Sequence, residues 1–222
     1  MILYYEGKSC FLTNLLLEYD LHFEGDGEEV AGIYYVYREE DANMAILRKE
    51  FSQKKYSKMD IKFSKKLDEN LISNIPKNII LICDDYEYEI VRSKTLQSMM
   101  YSAATVYAHH RQLWIFFVCQ SVSVLKKNHK LNEIISQASD YIIFRNLTEH
   151  RSICRFLNNF SIKLKDGLRL SDVYSRYIQL KQFAYIYVSV SPRANQCTAY
   201  SDILMSSEGC MISYHDSDTE NE

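Results

Sequence analysis

Residues 78–85 read NIILICDD, an unbroken apolar run that ends in two acids. A strand with one wet face alternates apolar and polar side chains, whereas an unbroken run is the pattern of a strand buried on both faces, as in a parallel sheet. Two more runs of this kind follow, LWIFFVCQ at 113–120 and DYIIFRN at 140–146. Between the first two, Ile90, Leu96, Met99, Met100, Ala103 and Tyr107 recur at helical spacing, so one helix is expected from Glu89 to about His109. Residues 148–158 and 171–182 also read as helices. Upstream, Phe11, Leu12, Leu15, Leu16 and Tyr19 mark an amphipathic helix over 9–20, VAGIYYVY at 30–37 a strand, and 42–51 a helix. Residues 52–70, polar and rich in lysine, are expected to form a loop with a weak helix. FAYIYVSV at 183–190 and CTAYSDIL at 197–204 predict two adjacent strands. Strands separated by helices specify an α/β sandwich with a mainly parallel central sheet covered on both faces.

A chain of 222 residues has room for one such domain, expected over 1–205, with the polar, acidic segment 206–222 as a solvated tail. With 6 glycines and 2 prolines, turns must lean on Asn, Asp and Ser. The net charge of −3 argues against a strongly basic nucleic-acid binder, while leaving room for a local basic strip or for DNA contacts spread over several subunits. The 6 cysteines include no C-x-x-C pair, so neither a zinc spacing nor a disulfide framework is visible, and a reducing, intracellular setting is expected. No apolar stretch approaches the roughly 20 residues that span a bilayer, and the start lacks the pattern of a signal peptide.

In open parallel sheets ligands bind beyond the carboxyl ends of the strands, so the residues that terminate each run carry the functional reading. Gly7-Lys8-Ser9 opens the first helix and is half of the phosphate-binding loop G-x-x-x-x-G-K-[ST]. There the glycine lets the backbone approach phosphates, the lysine supplies a cation and the hydroxyl ligates Mg²⁺. The first glycine of the full motif would fall at Ile2, and no strand is expected ahead of the loop. Asp84-Asp85 is what a Mg²⁺-ATP site needs at a strand end: the first acid for the metal, the second to orient or deprotonate the attacking water. Solvated acids in a turn are the plain alternative. Gln120 ends the next run, where a side chain would face the γ-phosphate; a surface glutamine is the alternative. The three signals gain weight from their joint order.

ILICDDYE, a helix ending YAHHRQ, LWIFFVCQSV, ASDYIIFRN and the late FAYIYVSVSP together resemble the packaging ATPases of the FtsK–HerA superfamily, of the poxvirus, Polinton and adintovirus type. Those proteins read I-L-D-D-L, S-H-H, V-I-x-x-x-Q-N, N-A-x-Y-x-V-L-F-K-N and Y-L-x-V-D-x-x-P. The resemblance implies a P-loop ATPase fold and a homo-oligomeric ring that hydrolyses ATP with Mg²⁺ to drive double-stranded DNA into a capsid. It places the protein in the host nucleus or at a cytoplasmic viral assembly site, with capsid proteins as possible partners and no membrane. Carried over, Gly7, Lys8 and Ser9 match the phosphate loop, Ser9 and Asp84 the metal ligands, Asp85 the catalytic acid and Gln120 the sensor; Arg145 and Arg151 are the candidate arginine fingers. A catalytically inactive relative, serving as a structural or assembly partner, is the alternative raised by Ile2 and the absent first strand. A metal nuclease using Asp84 and Asp85 is a weaker one, since no further acids end the other strands.

Three other features have two readings each. His109-His110-Arg111 could contact DNA or a neighbouring subunit, or could be cations at a helix end. Lys54, Lys55, Lys58, Lys62, Lys65 and Lys66 could face DNA or lie on a solvated loop. The 18 tyrosines could stack on bases, but Tyr34, Tyr35, Tyr141, Tyr185 and Tyr187 fall in expected strands, where packing explains them better.

Overall fold

The computed structural model describes residues 2–4, 8–17, 30–53, 60–67, 69–122, 128–138, 140–160, 169–177, 185–189, 198–201 and 214–215. In chain order, the first half contains β1 (Ile2–Tyr4), α1 (Lys8–Leu17), β2 (Gly32–Tyr37), α2 (Ala42–Phe51), β3 (Asp60–Ser64), α3 (Glu69–Ser73) and β4 (Ile79–Asp84). Then come α4 (Glu87–Arg92), α5 (Lys94–Ser102), β5 (Trp114–Cys119), α6 (His129–Ser136) and β6 (Asp140–Phe144). The rest is α7 (His150–Leu157), α8 (Leu170–Tyr177), β7 (Tyr185–Ser189), β8 (Thr198–Ser201) and β9 (Tyr214–His215). The protein is α/β. It divides into two compact units, one of Ser9–Cys119 and Val124–Gln137, the other of Met1–Lys8, Gln120–Ser123 and Ala138–Glu222.

The first unit is built on four parallel strands in the order β3-β2-β4-β5. All six residues of β4 are buried. Since successive side chains point to opposite faces, both faces are covered, as the unbroken apolar run requires. α1 buries Phe11, Leu12, Leu15 and Leu16, and α2 buries Met44, Leu47 and Phe51 behind an Asp41 N-cap that accepts the Met44 amide at 2.9 Å.

Two expectations in this unit need correction. Residues 60–64, expected within a loop, form β3, the edge strand beside β2. Lysines mask a period-two pattern there: Ile61 and Phe63 are half-buried, while Asp60 and Lys62 are exposed. Phe63 stacks on Tyr35 with centroids 5.6 Å apart and carries the Arg48 guanidinium 4.1 Å above its ring, a contact worth about 0.5–1 kcal/mol at such a site. The neighbouring backbone comes so close that a Cβ on Gly32 would lie 2.9 Å from the Asp60 carbonyl oxygen; only glycine fits. Lys62 on an edge strand also discourages pairing with other chains. The single helix expected from Glu89 to His109 is broken at Ser93, whose extended backbone (φ −115°, ψ 111°) and hydroxyl, accepting the Leu96 amide at 3.2 Å, start α5. Beyond α5 the chain widens into a π-helical turn at Ala103–Tyr107 before a last turn at Ala108–His110.

In the second unit β1 runs parallel to β6, with Ile2, Leu3 and Tyr4 opposite Tyr141, Ile142 and Ile143. The strand expected to be missing before the phosphate loop is therefore present in the chain; three residues are too few to show a period, and their pairing is set by β6. β6, β7, β8 and β9 continue antiparallel, so the mainly parallel arrangement expected describes the four strands of the first unit and the β1–β6 pair, while the late strands of this unit depart from it. β9 lies in the segment expected to be an acidic tail, with Tyr214 and His215 paired to Ala199 and Thr198. α8 anchors this unit through Tyr174, fully buried, whose hydroxyl donates to the Phe144 carbonyl and accepts the Asn146 amide, each at 3.0 Å. No helix among the described residues is long and apolar enough to cross a membrane.

Candidate functional site

The parallel order of the first unit brings the ends of β2, β4 and β5 to one edge. Asp84 closes β4 opposite Tyr37 of β2 and Val118 of β5. Asp85 follows in the left-handed region, φ 55°, while its amide still donates to the Val118 carbonyl at 3.0 Å. A non-glycine residue in that region is uncommon, and aspartate is among the few that tolerate it. The twist turns the second acid out of the strand direction just where the sheet edge begins.

Asp84 is almost fully buried, with 9% of its surface exposed, and its Oδ2 accepts a hydrogen bond of 2.8 Å from the Tyr35 hydroxyl. Tyr35 sits in the middle of β2, so the bond joins adjacent strands and fixes one carboxylate oxygen. Burial first, then the Asp84 charge and its hydrogen bond, with smaller contributions from Asp41 and Asp85, push the Tyr35 phenol far above its usual range. The phenol stays a donor. Burial next to Asp84 likewise pushes the Cys83 thiol up to about 12, leaving it a small apolar side chain. Glu87 is buried in the first turn of α4, just beyond the acids.

Among the described residues no cluster of three or more His, Cys, Asp or Glu side chains converges to hold a metal. A closed protein cage for a cation is thus not formed there. One buried carboxylate with an oriented oxygen fits a different need, that of a Mg²⁺ ion which keeps its waters and arrives with phosphate oxygens.

Lys8 and Ser9 are the first two residues of α1, both half-buried, and the first turn of that helix holds no acid. The amides of such a turn and the positive end of the helix dipole favour an anion. Gly7 lies outside the described residues. Ser9 belongs to the same unit as Asp84 and Asp85, whereas Lys8, Gln120, Arg145 and Arg151 belong to the other. Gln120 is exposed and directly follows β5. Arg145 is half-buried just after β6, and Arg151 is exposed in the first turn of α7.

Arg111 has a structural task. Its Nη1 donates to the carbonyls of Ser73 and Ile75 at 3.0 Å and of Ile72 at 3.5 Å, satisfying the end of α3. His110 is exposed, and the His109 side chain lies outside what is described. Of the lysines considered for DNA, Lys62, Lys65 and Lys66 are exposed, and Lys54, Lys55 and Lys58 lie outside the described residues.

Sequence reasoning missed the bond to Asp84 made by Tyr35, which it assigned to packing alone, and also missed Glu149. Glu149 accepts from the Ser121 hydroxyl at 2.6 Å and the Val122 amide at 3.0 Å. None of these bonds carried a signal in the chain itself, because each partner lies at least 27 residues away. No protein-family model matches the chain, and no curated protein does.

Proposed function

We propose that the protein is an Mg²⁺-dependent ATPase with a P-loop-type fold, acting as one subunit of an oligomeric motor that moves double-stranded DNA into a capsid. The observation that carries this reading is the end of β4. A fully buried parallel strand delivers two successive acids to the carboxyl edge of the sheet, one oriented by Tyr35 and the other turned out by a left-handed backbone. In this reading Asp84 takes Mg²⁺ through its waters, Asp85 takes the proton of the attacking water, and the Ser9 hydroxyl joins the metal shell. Gly7 and Lys8 take the phosphates, Gln120 reads the γ-phosphate, and Arg145 or Arg151 of a neighbouring copy supplies a cation to the transition state. The order of GKS, paired acids and glutamine, together with the resemblance to packaging ATPases, supports DNA as the load.

The test is ATP hydrolysis by the purified protein, with and without Mg²⁺ and DNA. Asp85→Asn is the informative variant, because asparagine accepts φ 55° without added strain. Any loss then reports on the missing base. The expected loss is at least about 10²-fold in kcat, within the range for removal of a general base. A wild-type protein that neither binds nor hydrolyses ATP would overturn the proposal.

One observation favours a second reading, the inactive relative. Because Ile2–Tyr4 is a strand, only Tyr5, Glu6 and Gly7 join β1 to α1, fewer than the full phosphate-loop motif needs. Calorimetry decides between the two: micromolar binding of Mg²⁺-ATP removes the inert scaffold, and absence of binding supports it.

A further inference from the structure

Glu149 is an odd residue to begin a helix. It occupies the N-cap of α7, where Ser, Thr, Asp and Asn are favoured, and its side chain makes no capping bond. Asn146 instead holds the turn that leads into α7. The Asn146 Oδ1 accepts the amides of Thr148 and Glu149 at 3.0 and 3.2 Å, and the Thr148 hydroxyl at 2.8 Å. Asn146 is itself buried and held through its own amide by Tyr174. The Glu149 carboxylate, relieved of local duty, spans 28 residues of chain: Oε1 accepts from the Ser121 hydroxyl at 2.6 Å and Oε2 accepts from the Val122 amide at 3.0 Å. Two bonds, one per oxygen, fix both position and orientation. Val122 adds an anchor, being 1% exposed.

Both ends of this link matter under the reading above. Ser121 directly follows Gln120, the proposed sensor, and Arg151 stands two residues after Glu149 in the first turn of α7. All of these residues belong to one compact unit. We infer that Glu149 is a positioning residue that joins the Gln120 segment to the start of α7, so that the state read by Gln120 is passed to Arg151. The inference rests on the ATPase reading and selects Arg151 over Arg145 as the arginine whose position follows the nucleotide.

The experiment compares Glu149→Ala, Glu149→Gln and wild type in steady-state ATP hydrolysis and in amide hydrogen exchange. Glutamine can still accept the Val122 amide through its carbonyl while its amide donates to the Ser121 hydroxyl; alanine keeps neither bond. Glu149→Ala should lower kcat by about 10²-fold, the scale of misplacing a catalytic group, with KM for ATP within about twofold. Glu149→Gln should restore kcat to within about tenfold of wild type. Exchange should quicken in Glu149→Ala at residues 120–122 and at the start of α7 together, and in Glu149→Gln at neither. If wild type turns over ATP and Glu149→Ala matches its kcat, the inference fails while the ATPase reading stands. If wild type is inactive, the ATPase reading fails, and exchange still judges the link: quickening at one segment without the other overturns it. Equal damage in the two variants, seen as a lowered melting temperature with no split between kcat and KM, would reduce Glu149 to a structural role and overturn it as well.

Discussion

At the scale of single residues, the edge of the parallel sheet is organised by the Tyr35–Asp84 bond. A phenol donating to a buried carboxylate stabilises by about 1.5–3 kcal/mol, because the acceptor is charged. Tyr35→Phe should therefore cost about 1–3 kcal/mol in urea unfolding. A double-mutant cycle with Asp84→Ala, which keeps no acceptor, should return most of that as coupling between the two residues. A coupling energy near zero would show that the bond contributes nothing to the fold. The acid itself was legible as the end of an apolar run. Its partner was not, since Tyr35 looks like any strand tyrosine and the pairing depends on how β2 lies against β4.

At the scale of elements, Arg111 shows how a charged motif can be spent on structure. Its guanidinium donates to the carbonyls of Ile72, Ser73 and Ile75 at and just after the end of α3, and it shares the Ile72 carbonyl with the Ile75 amide. The same group lies over the Tyr107 ring, 4.5 Å from the centroid. Arg111→Ala should destabilise by about 1–3 kcal/mol. Arg111→Lys should recover little, because a single ammonium cannot reproduce the planar fork. Both are measured by chemical denaturation, and unchanged stability in the alanine variant would reopen a role for Arg111 at a partner's surface. The elements easiest to foresee were those with their own local instructions. α2 has the Asp41 cap and a buried stripe, and its bounds were read correctly. The break at Ser93 was hidden, because apolar spacing runs straight through it and only the hydroxyl bonded to Leu96 reveals the new start.

At the scale of the molecule, each of the two units buries a tyrosine whose phenol is pushed well above its usual range, Tyr35 in one and Tyr174 in the other, burial being the first cause in both. An unfolded tyrosine gives up its proton near pH 10, while the folded one keeps it. Their contribution is thus fully present below about pH 10 and is lost as the pH rises beyond it, at up to about 1.4 kcal/mol per pH unit for each group. Urea midpoints should hold steady on the neutral side and fall steeply above pH ~10. Phenolate absorbance should show a fraction of tyrosines ionising only on unfolding. Full ionisation of all tyrosines in the folded protein would contradict the burial of both.

The chain alone determined the α/β class, the strand at 79–84 and the placement of two acids at its end, because an unbroken apolar run has one stable home, the middle of a covered parallel sheet. Tertiary structure decided β1, β3 and β9. Each is too short, or too masked by charge, to declare itself, and each becomes a strand only when a neighbour supplies its hydrogen bonds. The same holds for the residues that orient the candidate site. Tyr35 reaches Asp84 across 49 residues and Glu149 reaches Ser121 across 28, and an interaction over such a separation exists only once the fold has closed the loop between its ends.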